Sequence, residues 1–363
     1  MDRNITIVYG YLIKHGGIGR YISETLNGLR NRKIEIFALE SNVAIPNGVK
    51  LHLINCPRNK TFMSSDENEF FSKEVESLTK HRKNQLLHSH GVYSLSPGLY
   101  TAHICLNEYF NNIRAIFGES VLRTNFGSAV SLVDIEKRMI DSIASRNNHV
   151  VSVSEKVRDE LARSYGIIAD QVIFGASRFR GKQTTAKKQE EIKKVGFIGN
   201  NIYTKGLVFL RESLTRLVQK GFKLGCVSAG TNGEVDSYLG SDAFSYLPLG
   251  KIEVGEDFYR DLDCFVCLSP YEAYSLSTLE AMALSVPVVS SRLNGVFYDA
   301  AKKGDKIITE VADITDIAET SLLLERVFTD PRFVDRAIEQ GKKIVGSHTW
   351  EDVSEDYDKL YSN

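Results

Sequence analysis

Two glutamates lie eight positions apart in one short stretch of the chain, a spacing that suits a ligand-binding site. Glu272 lies in a loop that follows an apolar run, and Glu280 lies eight positions later, inside a helical pattern that begins near Ser277. The start of a helix leaves the backbone N–H groups of residues 275–278 without helical partners, and phosphate groups bind at such places. The pattern predicts an anion site. A purely structural alternative exists for Glu280, since Ser277 and Glu280 have the Ser-x-x-Glu spacing of a capping box.

A lysine supplies the complementary charge. Residues 195–199 have the pattern of a strand, and Lys205 and Gly206 stand where the next helix begins. A nucleoside diphosphate that departs without help from a metal needs a cation at such a loop-to-helix junction. Lys205 is the candidate for this role, and an exposed, merely solvated lysine is the alternative.

Strand-like and helical patterns alternate from end to end of the chain and must position these residues. Such alternation predicts parallel sheets covered by helices, with ligands bound beyond the carboxyl ends of the strands. Clear strand-then-helix pairs are 5–13 with 20–30, 149–153 with 155–165, and 194–198 with 207–220. Segment 178–194, with seven basic and two acidic residues, is the one composition break long enough for a linker.

The composition excludes several functional classes. The 363 residues include 45 Lys+Arg and 46 Asp+Glu, and a net charge of −1 provides neither a basic field for nucleic acid nor an acidic tail. The length suggests two domains. The first residues lack the pattern of a secretory signal, and no apolar run approaches the ~18–20 residues that cross a bilayer, so we expect a soluble, cytoplasmic protein. The five scattered cysteines agree, because they do not form a disulfide framework.

Competing functional motifs are incomplete. The Gly-Gly-Ile-Gly at 16–19 lacks the last glycine of a dinucleotide fingerprint, and no G-x-x-x-x-G-K-S/T phosphate loop occurs. Asp261 and Asp263 have a D-x-D spacing, but they precede a buried strand, which favours a helix end. Cys264 and Cys267 lie in that strand, which favours buried thiols. We expect no metal and no cofactor.

The stretch around the two glutamates resembles one large enzyme family. Glu272-x7-Glu280, followed by a helix and by Pro287-Val-Val, is similar to the signature of the retaining GT-B glycosyltransferases of family four. Further similar segments extend over most of the chain: 15–19, 87–91, 151–155, 229–233 and Trp350. The sequence of residues 97–108 is similar to that of the branch that contains lipopolysaccharide core glucosyltransferases.

The resemblance implies an α/β fold with two Rossmann-like, doubly wound parallel-sheet domains facing a central cleft. It implies an N-terminal, acceptor-side domain over 1–177, a linker over 178–193, and a C-terminal domain over 194–347 that binds the nucleotide sugar. A C-terminal helix, 348–363, is expected to cross back to the first domain.

The resemblance also implies roles for single residues. Glu280 would bind the ribose hydroxyls of the donor, Glu272 the hydroxyls of the transferred sugar, and Lys205 the diphosphate. His103 matches the catalytic-site histidine that reaches the donor sugar, and a hydrogen-bonded core histidine is the alternative. The predicted catalytic residues are His103 and Glu272; the donor-binding residues are Gly17, Asn200, Lys205, Tyr274, Ser275, Leu276, Ser277 and Glu280; the acceptor-side residues are His15 and Gly16.

The implied activity is retaining, metal-independent transfer of a hexose from a nucleotide sugar, with UDP as the best candidate nucleotide. The acceptor would be a saccharide or a lipid-linked glycan in the synthesis of cell-surface polysaccharide or glycolipid. Two departures from the family pattern leave an alternative open. Asn200 and Asn201 replace the usual basic residue after Gly199, and Ala273 and Ser275 replace two glycines. A catalytically silent GT-B scaffold that binds a sugar nucleotide or a partner enzyme would tolerate both.

Segment 111–140 is the candidate for a membrane contact. It interleaves apolar residues with Arg114 and Arg123, a pattern that presents an amphipathic surface to anionic lipid. Helices that pack inside a domain show the same pattern, so internal packing is the alternative. The membrane contact would be peripheral, at the inner face.

Overall fold

The computed structural model describes residues 3–14, 16–56, 64–82, 84–181, 191–240 and 243–362. The predicted acceptor-side residue His15 and the central part of the predicted linker, 182–190, lie outside the described residues. The chain divides into two compact units, which we describe separately. Unit 1 comprises Met1–Gly175 with Thr349–Asn363, and unit 2 comprises Ala176–His348.

Unit 1 is an α/β layer structure. Its elements, up to residue 175, are β1 (Asn4–Val8), β2 (Tyr11–Leu12), α1 (Gly17–Gly28), β3 (Ile34–Ala38), β4 (Glu40–Ser41), β5 (Lys50–Leu53), α2 (Ser65–Thr79), β6 (Gln85–His90), β7 (Leu99–Ala102), α3 (Leu106–Val130), α4 (Leu132–Arg146), β8 (His149–Ser152), α5 (Glu155–Tyr165) and β9 (Gln171–Val172). Among the residues described in this unit, seven strands form one sheet in the order β5-β3-β1-β6-β7-β8-β9, with parallel pairings.

Continuous apolar burial explains the central strands of unit 1. Ile5, Ile7 and Val8 of β1 are each at most 2% exposed, as expected for a parallel strand that helices cover on both faces. The strand order reverses between β1 and β6, which is the switch point where ligands bind in such sheets. The carboxyl ends of β1, β6 and β7 therefore form the edge on which a site is expected.

The first helix depends on a glycine. A Cβ at Gly19 would lie 2.8 Å from the backbone N and O of Ile13. Glycine at this position therefore lets the first turn of α1 pack directly against the segment that follows β2. The buried face of α1 includes Tyr21, Ile22 and Leu26, at the spacing of one helical face.

Unit 2 has the same layered character. Its elements are β10 (Lys193–Ile198), α6 (Leu207–Gln219), β11 (Leu224–Ala229), α7 (Gly233–Leu239), β12 (Ser245–Pro248), α8 (Glu256–Arg260), β13 (Cys264–Cys267), α9 (Leu276–Ala283), β14 (Val288–Ser291), α10 (Gly295–Lys302), β15 (Glu310–Val311), α11 (Ile317–Thr329) and α12 (Pro331–Val345). In the described part of this unit, six parallel strands follow the order β12-β11-β10-β13-β14-β15. The order reverses between β10 and β13, so the loops after these strands meet at the switch point.

The last helix, α13 (Trp350–Ser362), belongs to unit 1. A Cβ at Gly28 would lie 2.4 Å from Ser354 Cβ, so glycine lets the end of α1 approach α13 closely. Ser354 Oγ also donates to Thr25 O at 2.9 Å. Tyr357 and Tyr361 are at most 1% exposed, which makes α13 part of the core of this unit.

The amphipathic segment 111–140 lies in α3 and α4. The helix α3 contains a kink at Gly118, whose φ and ψ are 85° and 166°. Ile113, Leu122 and Phe126 of this segment are at most 4% exposed. Much of its apolar face is therefore used for packing inside unit 1.

The two arginines of this segment share one acidic partner. Arg114 Nε lies 2.8 Å from Glu119 Oε2, and Arg123 Nε lies 2.9 Å from Glu119 Oε1. The described helices include none with the length and apolar character that a membrane span requires.

Candidate active site

Two glycines place Lys205 at the carboxyl edge of the unit 2 sheet. Gly206, the N-cap of α6, is in the left-handed region with φ 61°. A Cβ at Gly206 would lie 2.0 Å from Leu268 O, and a Cβ at Gly199 would lie 2.4 Å from Lys205 Cγ. Glycine at both positions therefore lets the turn before α6 rest on the end of β13 and lets the lysine stem cross the end of β10.

Lys205 forms an ion pair with Glu272. The distance between Lys205 Nζ and Glu272 Oε2 is 2.8 Å, and the two side chains are 30% and 22% exposed. Ser269 Oγ donates to the same carboxylate oxygen at 3.4 Å. Two residues that are 67 positions apart, and that resemblance links to the diphosphate and to the sugar, thus lie in direct contact.

Backbone hydrogen bonds hold the Glu272 loop beside the end of β14. Glu272 N donates to Leu293 O at 2.9 Å, and Gly295 N donates to Glu272 O at 2.8 Å. Asn294, the N-cap of α10, donates from Nδ2 to Thr278 Oγ1 at 3.0 Å. Because Thr278 belongs to α9, these bonds fix Glu272 relative to the starts of both α9 and α10.

Ser275, rather than Ser277, caps α9. The helix begins at Leu276, and Ser275 Oγ accepts a hydrogen bond from Thr278 N at 3.3 Å. The capping-box alternative for Ser277 and Glu280 is therefore wrong, because an extended Ser275 takes the cap and places Ser277 inside the first turn. The N–H groups of Leu276 and Ser277 lie at the positive end of the helix, which favours an anion by about 0.3–2 kcal/mol.

The Glu280 carboxylate is held on both oxygens. Arg178 Nε donates to Oε1 at 2.9 Å, and Tyr259 OH donates to Oε2 at 2.8 Å. The side chain of Glu280 is 1% exposed and that of Arg178 is 18% exposed. Arg178 Nη2 also donates to Val254 O at 2.9 Å. A carboxylate can accept about four hydrogen bonds, and Arg178 and Tyr259 supply two of them.

Sequence reasoning missed both partners of Glu280. Arg178 belongs to the predicted linker, and Tyr259 lies in the short helix α8. A signal was available, because Glu280 lies between Leu279 and Ala281 in the apolar second half of α9. A carboxylate on a buried face requires donors, and Arg and Tyr are the side chains that supply them across a core.

The other predicted donor-side residues have less defined contacts. Asn200 O accepts a hydrogen bond from Asn232 Nδ2 at 3.0 Å. Burial, with a smaller contribution from the Asp299 charge, raises the pKa of the Tyr274 hydroxyl. Gly16 and Gly17 begin α1 in unit 1, and a Cβ at Gly17 would meet no atom within 4 Å.

Three buried histidines lie near the carboxyl edge of the unit 1 sheet. His88 and His90 lie on one face of β6, and His103 follows β7; they are 0%, 2% and 7% exposed. His90 Nδ1 and His103 Nε2 are 2.8 Å apart. Burial lowers the pKa of His88 and of His103 to about 3, and it lowers the pKa of His90 well below the ordinary value, with smaller effects from the neighbouring rings. All three imidazoles are therefore neutral near pH 7.

His88 links the central strands to α13. Its Nδ1 lies 2.8 Å from Tyr361 OH, and its Nε2 lies 2.8 Å from Thr101 Oγ1. Thr101 Oγ1 in turn lies 2.9 Å from Tyr357 OH. The two-residue period of a strand places His88 and His90 on one face, but it does not name what covers that face. For this reason the sequence did not reveal the network.

The D-x-D and C-x-x-C pairs have structural surroundings. Asp261 is the C-cap of α8, which confirms the predicted helix end, and Asp263 Oδ2 accepts from Lys194 N at 2.8 Å. Cys264 and Cys267 are free thiols. The described residues contain no group of three His, Cys, Asp or Glu side chains arranged to hold a metal ion.

We predict that the protein loses stability as the pH falls below about 6.5. Unfolded histidines bind protons near that pH, whereas folded His88 binds one only near pH 3. The unfolded state therefore binds more protons in this window, and acid favours it by about 2 kcal/mol per buried histidine between pH 7.5 and 5.0. Thermal unfolding at both pH values should show a smaller acid loss for His88→Gln than for the wild type. The exposed His81→Gln control should match the wild type, and an unchanged acid loss in His88→Gln would contradict the prediction.

Comparison with known proteins adds a family match. Residues 192–325 match the family model described as glycosyl transferases group 1. An uncharacterised glycosyltransferase of Methanocaldococcus jannaschii is 19% identical, over 95% of this chain and 94% of its own length. The capsular polysaccharide biosynthesis glycosyltransferase CapM of Staphylococcus aureus is 22% identical over 175 residues, 45% of each chain.

The fold match extends over the whole chain. The crystal structure of WaaG, a glycosyltransferase involved in lipopolysaccharide biosynthesis, is similar with a TM-score of 0.76 and 12% identity, covering 99% of this chain and 100% of WaaG. This likeness confirms the predicted fold class of two Rossmann-like parallel-sheet domains. The chain therefore has the GT-B fold, and residues 192–325 of unit 2 form the region that matches the glycosyl transferases group 1. The glycosyltransferase relatives agree with this match.

Proposed function

We propose that this protein is a retaining glycosyltransferase that transfers a hexose from a nucleotide sugar, with UDP as the best candidate nucleotide, without using a metal ion. The observation that carries the proposal is the contact between Lys205 and Glu272 at the switch point of the unit 2 sheet, at 2.8 Å. The Lys205 ammonium suits the diphosphate of a nucleotide sugar, and the Glu272 carboxylate suits the hydroxyls of its sugar.

A bound diphosphate replaces Glu272 as the ion-pair partner of Lys205. Both side chains of the pair are partly exposed, and such pairs contribute only about 0–1 kcal/mol. A diphosphate carries more negative charge than one carboxylate and can also accept hydrogen bonds from the N–H groups of Leu276 and Ser277. Binding therefore moves the lysine to the phosphates and leaves Glu272 to accept hydrogen bonds from the sugar.

Glu280 binds the ribose hydroxyls of the donor, and Arg178 and Tyr259 keep its carboxylate in place. An ionised acid that is 1% exposed needs such partners to remain charged. With the carboxylate fixed, Glu280 accepts hydrogen bonds from the ribose hydroxyls of the donor. This assignment makes Arg178 and Tyr259 positioning residues for the nucleotide.

The chemical step is stabilisation of the leaving group. The bond between the anomeric carbon and the phosphate oxygen breaks, and the acceptor oxygen bonds to the same face of the sugar. The acceptor proton passes to the departing phosphate oxygen. Lys205 and the α9 N–H groups stabilise the developing charge, and one preorganised donor at such a site is worth about 10²–10³ in rate. The Glu272 carboxylate contacts the Lys205 ammonium and the Ser269 hydroxyl. These contacts support a positioning role for Glu272 rather than a nucleophilic one.

The acceptor is a saccharide or a lipid-linked glycan in the synthesis of cell-surface polysaccharide or glycolipid. CapM acts in capsular polysaccharide biosynthesis and WaaG in lipopolysaccharide biosynthesis, and both roles support this choice. The acceptor binds on unit 1, near Gly16 and Gly17, and His103 contacts a substrate hydroxyl. We place the reaction in the cytoplasm, at the inner face of the membrane.

The diphosphate cradle can be tested on the full-length protein. Thermal shift with UDP-, GDP-, ADP- and dTDP-sugars identifies the donor, because a ligand of the folded state raises the melting temperature. We expect Lys205→Ala to lower transfer by about 10²–10³ and Glu280→Ala to remove most of the thermal shift. Lys220→Ala, at the C-cap of α6 and thus at the opposite end of this helix from Lys205, is the matched control and should behave as wild type. Normal turnover in both Lys205→Ala and Glu280→Ala would contradict the proposed diphosphate site. Donor binding without turnover in the wild type would favour the catalytically silent scaffold.

Replacing Glu272 separates its two candidate roles. Glu272→Gln keeps the shape and removes the charge, so we expect the transfer rate to fall by about tenfold or more while nucleotide affinity changes little. Steady-state transfer and UDP titration measure the two effects. An equal loss of nucleotide affinity would place Glu272 on the nucleotide instead. Glu256→Gln, at a partly exposed acid of α8 that pairs with Arg260, is the control.

The segment 111–140 provides a peripheral contact with anionic lipid. Glu119 neutralises part of the charge of Arg114 and Arg123, and one basic side chain near an anionic surface is worth about 1 kcal/mol. Flotation with anionic vesicles should therefore weaken severalfold in the double variant Arg114→Ala/Arg123→Ala and strengthen in Glu119→Gln. Neutral vesicles are the control. Equal flotation of all three proteins would assign the segment to internal packing alone.

A further inference from the structure

We infer that His90 is a positioning residue that fixes the tautomer of His103, so that His103 presents its Nδ1–H as a hydrogen-bond donor to a substrate hydroxyl. The inference rests on the proposed function, because the role of His103 toward the substrate belongs to that proposal. It adds a second histidine and a defined proton position to the site.

The strand geometry brings the two rings together. His90 is the last residue of β6, and it lies opposite Thr101 of β7, two residues before His103. His90 Nδ1 and His103 Nε2 are 2.8 Å apart, and the ring planes differ by 26°. Tyr21 packs edge-on against the His103 ring with 4.9 Å between centroids. The His103 ring is therefore held by a hydrogen bond on one nitrogen and by an aromatic contact.

One hydrogen lies between the two rings. Both imidazoles are neutral, so each carries one N–H and one bare nitrogen. In the first arrangement His90 Nδ1–H donates to His103 Nε2, and the hydrogen of His103 is on Nδ1. In the second, His103 Nε2–H donates to His90 Nδ1, and the hydrogen of His90 is on Nε2.

The two outer nitrogens decide between these arrangements. Within the part of the chain that the structure describes, His90 Nε2 and His103 Nδ1 have no hydrogen-bond partner. The second arrangement leaves an N–H on His90, which is 2% exposed, whereas the first leaves it on His103, which is 7% exposed and lies at the strand end. Buried N–H groups without partners are rarer than under-satisfied acceptors. The first arrangement is therefore favoured, and it leaves the N–H on His103 Nδ1, the nitrogen that does not contact His90.

The neighbouring network prevents His88 from replacing His103 as the partner of His90. Tyr21 OH donates to Ile173 O at 2.9 Å, which fixes the direction of the whole chain. Tyr357 then donates to Tyr21, Thr101 donates to Tyr357, and His88 Nε2–H donates to Thr101. Both nitrogens of His88 are occupied, since Tyr361 donates to Nδ1. The hydrogen-bond partner of His90 Nδ1 is therefore His103 and not His88.

The Nδ1–H of His103 suits a neutral ligand. A neutral imidazole N–H donates to a hydroxyl oxygen without bringing a positive charge to a neutral sugar. The same histidine in the other tautomer would offer a bare nitrogen and would have to accept a hydrogen bond instead. His90 therefore selects the donor form.

Histidine-selective ¹⁵N labelling with two-bond ¹H–¹⁵N correlation measures the tautomer directly. We expect His103 to carry its hydrogen on Nδ1 in the wild type and to lose this preference in His90→Leu. His90→Asn places an amide at the position of Nδ1 and should restore it, whereas His90→Gln, whose amide reaches the position of Nε2, should not. A wild-type His103 with its hydrogen on Nε2 would overturn the inference.

Kinetics supply the second measurement. We expect His90→Leu and His90→Gln to lower kcat about tenfold, the worth of one hydrogen bond, with the donor KM unchanged because the nucleotide binds in unit 2. His90→Asn should keep most of kcat. Wild-type kcat in His90→Gln, with His103 unaltered in the spectrum, would contradict the inference even if His90→Leu failed to fold. A wild-type protein that transfers no sugar would defeat the proposed function, and the tautomer measurement would still decide the role of His90.

Discussion

Burial of the Glu280 carboxylate is the constraint on which the order of unit 2 depends. Removing an ion from water costs several kcal/mol, so an acid that is 1% exposed remains charged only with partners on its oxygens. Arg178 and Tyr259 fill that need, and Arg178 also binds Val254 O. A Cβ at Gly181 would lie 2.1 Å from Ala283 O, so the chain after Arg178 runs closely along the end of α9. One acid thereby ties the first residues of the unit to α8 and α9.

Unit 1 also buries titratable side chains, but it keeps its buried histidines uncharged instead of pairing them with ions. Its buried titratable rings stay uncharged, and the hydrogen bonds from His88 to Tyr361 and to Thr101 tie the central strands to α13. Neutral groups need only one donor and one acceptor each, so a directed chain of hydrogen bonds satisfies them without ions. The two units therefore differ chemically. The candidate site residues of unit 2 form ion pairs, and the buried histidines of unit 1 are neutral imidazoles.

Local patterns predicted parallel sheets covered by helices and named Lys205 and Glu272 as separate site residues, but they did not predict the ion pair between the two side chains. Parallel strands bring the loops after β10 and β13 to one edge, wherever the two loops stand in the sequence. The cap of α9 was misjudged because Ser275 and Ser277 are both acceptable caps, and only the backbone angles of Ser275 select one. The partners of Glu280 were out of reach for a different reason. Arg178 is 102 positions away, and hydrophobic periodicity shows which residue is buried without showing what faces it.

The two ion pairs of unit 2 differ in a way that separates framework from function. The pair of Arg178 and Glu280 is 18% and 1% exposed, so breaking it would leave a charge in a dry environment, at a cost of about 3–5 kcal/mol. The pair of Lys205 and Glu272 is 30% and 22% exposed, and water can solvate either partner when the other leaves. The first pair is therefore permanent and holds its carboxylate at a fixed place. The second keeps a cation and an anion at the sheet edge, at little cost to either, and this is the arrangement that the proposed exchange of partners requires.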